Sequence, residues 1–148
     1  MQLLSPAFGD GGNIPQQYTC KGQNVSPPLN ITDVPAGTKS LALVMHDPDA
    51  VSGDFVHWLL WNVAPITQSI NANSAPSTAI QGLTGFGNNK YGGPCPPAGT
   101  GTHHYMFELY ALDTTINLSP DSSRQKLEEE IKGHVITQTT LTGLVTAT

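Results

Sequence analysis

The chain has 148 residues, enough for a single domain with a sizeable core. Its net charge is −5, only 11% of residues are charged, and Arg124 is the sole arginine, so there is no basic stripe for nucleic acid or an anionic membrane surface. Twelve prolines and fifteen glycines interrupt the chain often and favour short strands and turns over helices.

Met1-Gln-Leu-Leu-Ser-Pro-Ala-Phe8 lacks the basic start and long apolar run of a signal peptide, and no apolar run reaches transmembrane length. A cytosolic chain without membrane insertion is the expectation. Ile14–Thr19 reads as an edge strand, since Pro15 keeps it out of a sheet interior. Residues 20–28 are turn and loop, leading to a short strand at Leu29–Ile31. Ser40–Met45 is a continuous apolar run bounded by turns, which predicts a strand buried on both faces. His46-Asp-Pro-Asp49 follows it, with Asp47 just past the strand end. Phe55–Val63 is a second strongly apolar strand. Residues 64–89 show no clear period, and Gly82–Lys90 is expected to cover the edge of a site.

The chain is organised around Tyr91-Gly-Gly-Pro-Cys-Pro-Pro-Ala-Gly-Thr-Gly-Thr-His-His-Tyr105. A loop stiffened by glycine and proline delivers two histidines and a tyrosine onto a core strand that runs to Leu112. Its glycine amides are expected to remain free to face an anion. Ser119 is read as the cap of a helix with Pro120 in its first turn, Leu127 and Ile131 as its apolar stripe and Gly133 as its stop. A last strand is read from His134 to Val145. The whole is a mainly β, antiparallel-rich domain over residues 1–148 with one clear helix. Cys20 and Cys95 are too few for a disulfide scaffold, and both are expected as thiols, Cys95 as a small buried side chain.

Strand alternation limits which side chains share a site. His57 is placed on one face with Phe55, Leu59 and Trp61. His103 and Tyr105 share a face, and His104 points the other way. If the strands are neighbours, Asp47, His57, His103 and Tyr105 converge at one end of the sheet. Four chemistries fit these groups. They can cradle an anion; Asp47 can orient an imidazole as a general base in a hydrolase; Asp47, His57 and His103 can ligate a metal; or Cys95 can act as a nucleophile. No Gly-x-Ser-x-Gly is present, and three candidate ligands fall short of a structural zinc site, so no metal and no cofactor are expected.

His46-Asp-Pro-Asp-Ala50, Val56-His-Trp-Leu-Leu-Trp-Asn62 and the 91–105 segment resemble the phosphatidylethanolamine-binding protein family, in its compact prokaryotic, Raf kinase inhibitor-like branch. Tyr18–Gly22, Asn24–Leu29, Leu109–Asp113 and Gly133-His134 extend the resemblance to nearly the whole chain. It implies a large central antiparallel sheet packed on a smaller sheet, with one or two peripheral helices. It also implies a pocket for phosphate or a phosphorylated lipid head group, formed by Asp47, His57, His103 and Tyr105, with Gly93 and the loop prolines, Pro97 among them, as wall. The expectation is a soluble binding protein and not an enzyme, with a hydrolase of a small phosphorylated or acyl substrate as the alternative. For protein partners it implies a kinase or a serine protease. The family's usual arginine is His104 here, and its usual proline after Asp-Pro-Asp-Ala is Val51. The arginine is expected to brace the loop through the second acid, Asp49, and a shorter, partly charged histidine in its place is expected to leave the loop less rigid.

Overall fold

A computed structural model describes residues Met1–Thr148. Nine strands form in chain order: β1 (Gln2–Leu4), β2 (Gly12–Asn13), β3 (Leu29–Thr32), β4 (Ser40–Asp47), β5 (Phe55–Val63), β6 (Ser69–Ile70), β7 (Ile80–Gln81), β8 (Thr102–Leu112) and β9 (Val135–Thr146). One α-helix, α1 (Arg124–Ile131), lies between β8 and β9. The strands make a six-stranded sheet in the order β2-β9-β8-β4-β5-β7 and a three-stranded sheet in the order β1-β3-β6. All pairings are antiparallel except β2 on β9. The expected large and small sheets, with one helix, are therefore present.

β4 is buried along its whole length because it lies between β8 and β5 and is covered on both faces. On one face Leu43, Met45, Trp58, Leu60, Phe107 and Leu109 pack against Leu3, Leu29, Ile31 and Ile70 from the small sheet. On the other face Ala42, Val44, Leu59 and Trp61 pack against Leu127 and Ile131 of α1. Two apolar layers thus sandwich the large sheet, and burial of each large side chain contributes about 1.5–3 kcal/mol.

Two local readings are corrected. Residues 16–18 form a single turn of 3-10 helix, not an edge strand, because Tyr18 N–H and Thr19 N–H turn back to the carbonyls of Pro15 and Gln16. The helix starts at Arg124 with Ser123 as cap, four residues later than Ser119 would have it. Ser119, Pro120 and Asp121 instead close a tight turn in which Ser122 N–H bonds Ser119 O at 3.0 Å. Gly133 follows the helix with φ +83°, as a stop glycine should.

Candidate functional site

β4 ends at Asp47 and β8 begins at Thr102, and because the two run antiparallel these ends meet. His103 Nδ1 donates to Asp47 Oδ2 at 2.7 Å, with both side chains almost fully buried. The other Asp47 oxygen accepts the Asp49 N–H at 2.8 Å, which fixes the Asp-Pro-Asp turn. The Thr100 hydroxyl donates to Pro97 O at 2.6 Å, and its oxygen lies 2.8 Å from His103 Nε2. Both ring nitrogens of His103 are therefore occupied within the protein. The Tyr105 ring lies nearly parallel to that of His103, with centroids 6.3 Å apart. Burial, then the Asp47 charge beside it, raises the Tyr105 pKa above its ordinary value of 10.0, so the phenol keeps its proton.

His57 reaches the same place by a different route. Met45 pairs with Trp58 and His46 with Val56, so His57 is the extra residue of a β-bulge. Val56 and Leu59 pack on the helix side of the sheet and Trp58 and Leu60 on the small-sheet side. The bulge puts His57 on the same side as Trp58. The expectation that His57 shares a face with Leu59 and Trp61 is thus corrected; only its company with Phe55 stands. Edge-on contacts at 5.2–5.3 Å with Phe55, Phe86 and Tyr105 enclose the ring. Nδ1–H donates to Gly92 O at 2.7 Å, so in the neutral ring Nε2 is an acceptor. Burial pulls the His57 pKa below 6.5, which keeps the ring neutral near pH 7.

These groups line a cavity of about 290 Å³ together with Ala50, Val51, Ser52, Phe55, Phe86, Cys95, Pro96 and Pro97. Its floor is polar and its walls are largely apolar. Three other clefts, of about 510 Å³ beside Lys21, about 610 Å³ beside Asp33 and about 300 Å³ beside Lys90, contain no histidine and no carboxylate–imidazole pair. The converging histidines and carboxylate are therefore in the smallest of the four, which makes it the candidate site. Asp47, His57, His103, Tyr105 and Pro97 line it, while Gly93 does not. A Cβ on Gly93 would lie 2.4 Å from Tyr18 O and 2.5 Å from Asn24 Oδ1, so this glycine permits close packing behind the loop. The glycine amides do not cradle a ligand as expected: Gly92 N–H bonds His57 O and Gly93 N–H bonds Asn24 Oδ1. No group of three or more His, Cys, Asp or Glu is arranged to hold a metal ion.

His104 points away from the cavity, as alternation requires. Its Nδ1 and its backbone N–H both donate to Asp49 Oδ2, at 2.7 and 2.8 Å. The pair is largely exposed, and these bonds hold the Asp49 pKa below its ordinary value. Position 104 thus braces the loop through Asp49, as the arginine of the resemblance is expected to.

Cys20 and Cys95 form a disulfide that links the segment after the 3-10 turn to the glycine/proline loop. Both are exposed, so the expectation of thiols, with Cys95 buried, is overturned. Distance along the chain carried no sign that the two loops meet. Cys20 N–H to Pro94 O at 3.0 Å and Tyr91 Oη to Tyr18 O at 2.8 Å fasten the same two segments.

A polar cluster on the helix side of the sheet was not anticipated. His46 donates from Nδ1 to Asp54 and from Nε2 to Glu108, both at 2.7 Å. Tyr110 Oη donates to the second Glu108 oxygen, and Arg124 of α1 donates to Asp54 at 2.8 Å. An alternating His46/Glu108/Tyr110 pattern was the available signal: these residues face away from Asp47, His103 and Tyr105. Burial lowers the His46 pKa, but the bonds to Glu108 and Asp54 more than reverse this and leave it raised.

The phosphatidylethanolamine-binding protein model matches residues 4–146. A UPF0098 protein of Pyrococcus horikoshii is 45% identical over 147 residues, covering 95% of this chain and 74% of its own length. The crystal structure of a phosphatidylethanolamine-binding protein homolog from Chlamydia trachomatis superposes with a TM-score of 0.92 at 36% identity, covering 97% of this chain and 95% of that one. YbcL of Escherichia coli, described as a member of the mammalian family, gives 0.90 at 30% identity, covering 97% and 96%. The match spans both sheets, the Asp-Pro-Asp turn, the bulged strand and the disulfide-bonded loop, and on it this chain belongs to the phosphatidylethanolamine-binding protein family.

Proposed function

We propose that this chain is a binding protein rather than an enzyme, and that its cavity takes a small oxyanion such as phosphate or a phosphorylated head group. The observation that carries the reading is the floor of the cavity: Asp47, His57, His103 and Tyr105 converge there beneath apolar walls. A polar floor recognises a charged head, and walls of Val51, Phe55, Phe86 and Pro97 accept the carbon next to it. Binding without turnover is supported by Cys95, which as a disulfide partner cannot serve as a nucleophile. We further propose that the protein works where a disulfide persists, against the cytosolic expectation, because exposed disulfides are rare in reducing compartments.

Calorimetric titration with phosphate and phosphoethanolamine tests the proposal. Saturable binding to one site, lost on His57→Ala, is the expected result. No binding by either compound, or turnover of a panel of phosphoesters and acyl esters by the purified chain, overturns it.

A further inference from the structure

Two of the cavity's polar side chains, Asp47 and His57, present hydrogen-bond acceptors to it. Asp47 is a carboxylate whose oxygens retain lone pairs beyond those used by Asp49 N–H and His103. His57 presents Nε2 as a bare acceptor, since its proton sits on Nδ1 toward Gly92 O. His103 has no free ring nitrogen to offer, and the amides of Gly92 and Gly93 are spent within the protein. The side-chain donors left along the cavity are the hydroxyls of Tyr105 and Ser52. An oxyanion without a proton would set its oxygens against the Asp47 carboxylate and the His57 lone pair. Each such contact leaves buried groups facing each other with no hydrogen between them.

We propose that the cavity selects oxyanions that still carry a proton, with the acidic P–O–H donating to Asp47 and the remaining oxygens accepting from Tyr105 and Ser52. Phosphate and phosphomonoesters or phosphonates in their monoprotonated form belong to this class; sulfate and phosphodiesters do not. The inference rests on the oxyanion reading given above and adds the proton as the selecting feature.

The test is calorimetric titration of the intact, oxidised chain at about pH 6, where a phosphomonoester retains its last proton for much of the time. Inorganic phosphate, dimethyl phosphate and sulfate are compared. Dimethyl phosphate has the single charge of dihydrogen phosphate but no O–H, so it separates charge from proton. Phosphate is expected to bind roughly tenfold or more tighter than either proton-free anion. Equal affinity for phosphate and dimethyl phosphate overturns the proton rule and leaves the oxyanion reading standing. Binding of none of the three overturns both. In Asp47→Asn the amide can donate, so the preference should collapse toward unity; a folded variant that keeps the full preference also overturns the rule. The parent comparison decides the matter even if that variant does not fold. Vesicles of phosphatidic acid, a monoester, separate a lipid source from a free one: retention on them and not on phosphatidylglycerol vesicles assigns the proton-bearing head to a lipid, and equal retention on both overturns the rule for lipids.

Discussion

Asp47 and His103 close the mouth of two neighbouring strands on each other, Oδ2 to Nδ1 at 2.7 Å, with neither side chain more than 4% exposed. The pair joins the last residue of β4 to the second residue of β8. Removing one member leaves the other polar and buried without its partner. Asp47→Ala is therefore expected to cost about 3–5 kcal/mol of stability. Urea unfolding at pH 7 measures it; a loss below about 1 kcal/mol would show that the pair is not a structural joint. His104→Ala, at an exposed pair, should cost under about 1 kcal/mol in the same assay.

His46 makes stability depend on pH from the opposite face. Burial alone would lower its pKa, but Glu108 and Asp54 hold it above 6.5, so its contribution is complete below pH 6.5 and is lost as pH rises through the folded value. Glu108, lowered first by its bond to His46 and then by Tyr110, contributes above pH 4.5 and loses that as pH falls. Arg124 faces both acids from α1 and stays charged throughout. His57 works in the other direction, since its lowered pKa withdraws stability as pH falls below 6.5. Melting temperatures from pH 5 to 9 are expected to fall on the alkaline side in the parent, and His46→Gln should flatten that limb. An unchanged limb in the variant would remove His46 from the account.

Gly93 tests the packing behind the loop. Its added Cβ in Gly93→Ala would meet Tyr18 O and Asn24 Oδ1 at 2.4 and 2.5 Å, both held in place by other bonds. The expected cost is about 1–3 kcal/mol of overpacking. Gly99, where a Cβ would meet nothing within 4 Å but φ is +83°, gives a comparison in which only backbone strain acts. Thermal unfolding of the two variants separates the effects; an unshifted Gly93→Ala would mean the segments part easily.

Reduction of Cys20–Cys95 should destabilise the chain by about 2–5 kcal/mol, because the bridge closes a loop of 75 residues in the unfolded state. Differential scanning calorimetry with and without a phosphine reductant measures this. Identical transitions would show that the hydrogen bonds from Cys20 N–H, Tyr91 Oη and Gly93 N–H suffice by themselves.

How far the sequence could be read depended on whether the signal was local. β8 was legible because its burial alternates strictly from His103 to Tyr110, and so the opposite senses of His103 and His104 were too. The company of Asp47, His103 and Tyr105 followed from the same periodicity. The face of His57 was not legible, since a single extra residue shifts every later assignment by one and leaves no mark in composition. Ser119 and Ser123 are equally good caps in sequence; the turn closed by Ser122 N–H onto Ser119 O decides between them. The disulfide and the His46 cluster depend on chain segments 75 and 62 residues apart meeting in space, which spacing cannot reveal.

The disulfide also divides the chain mechanically. Pulled from Met1 and Thr148, an oxidised molecule can extend only the segments outside residues 20–95, because the covalent bridge carries the load past everything between them. β3 to β7 lie within this shielded stretch, along with Asp47 and His57. At roughly 3.3–3.6 Å per residue, the 75 residues hold back about 250–270 Å of contour length. A reductant would release that length as a discrete step, so the two redox forms of one protein should be distinguishable at the single-molecule level by how long a thread each becomes.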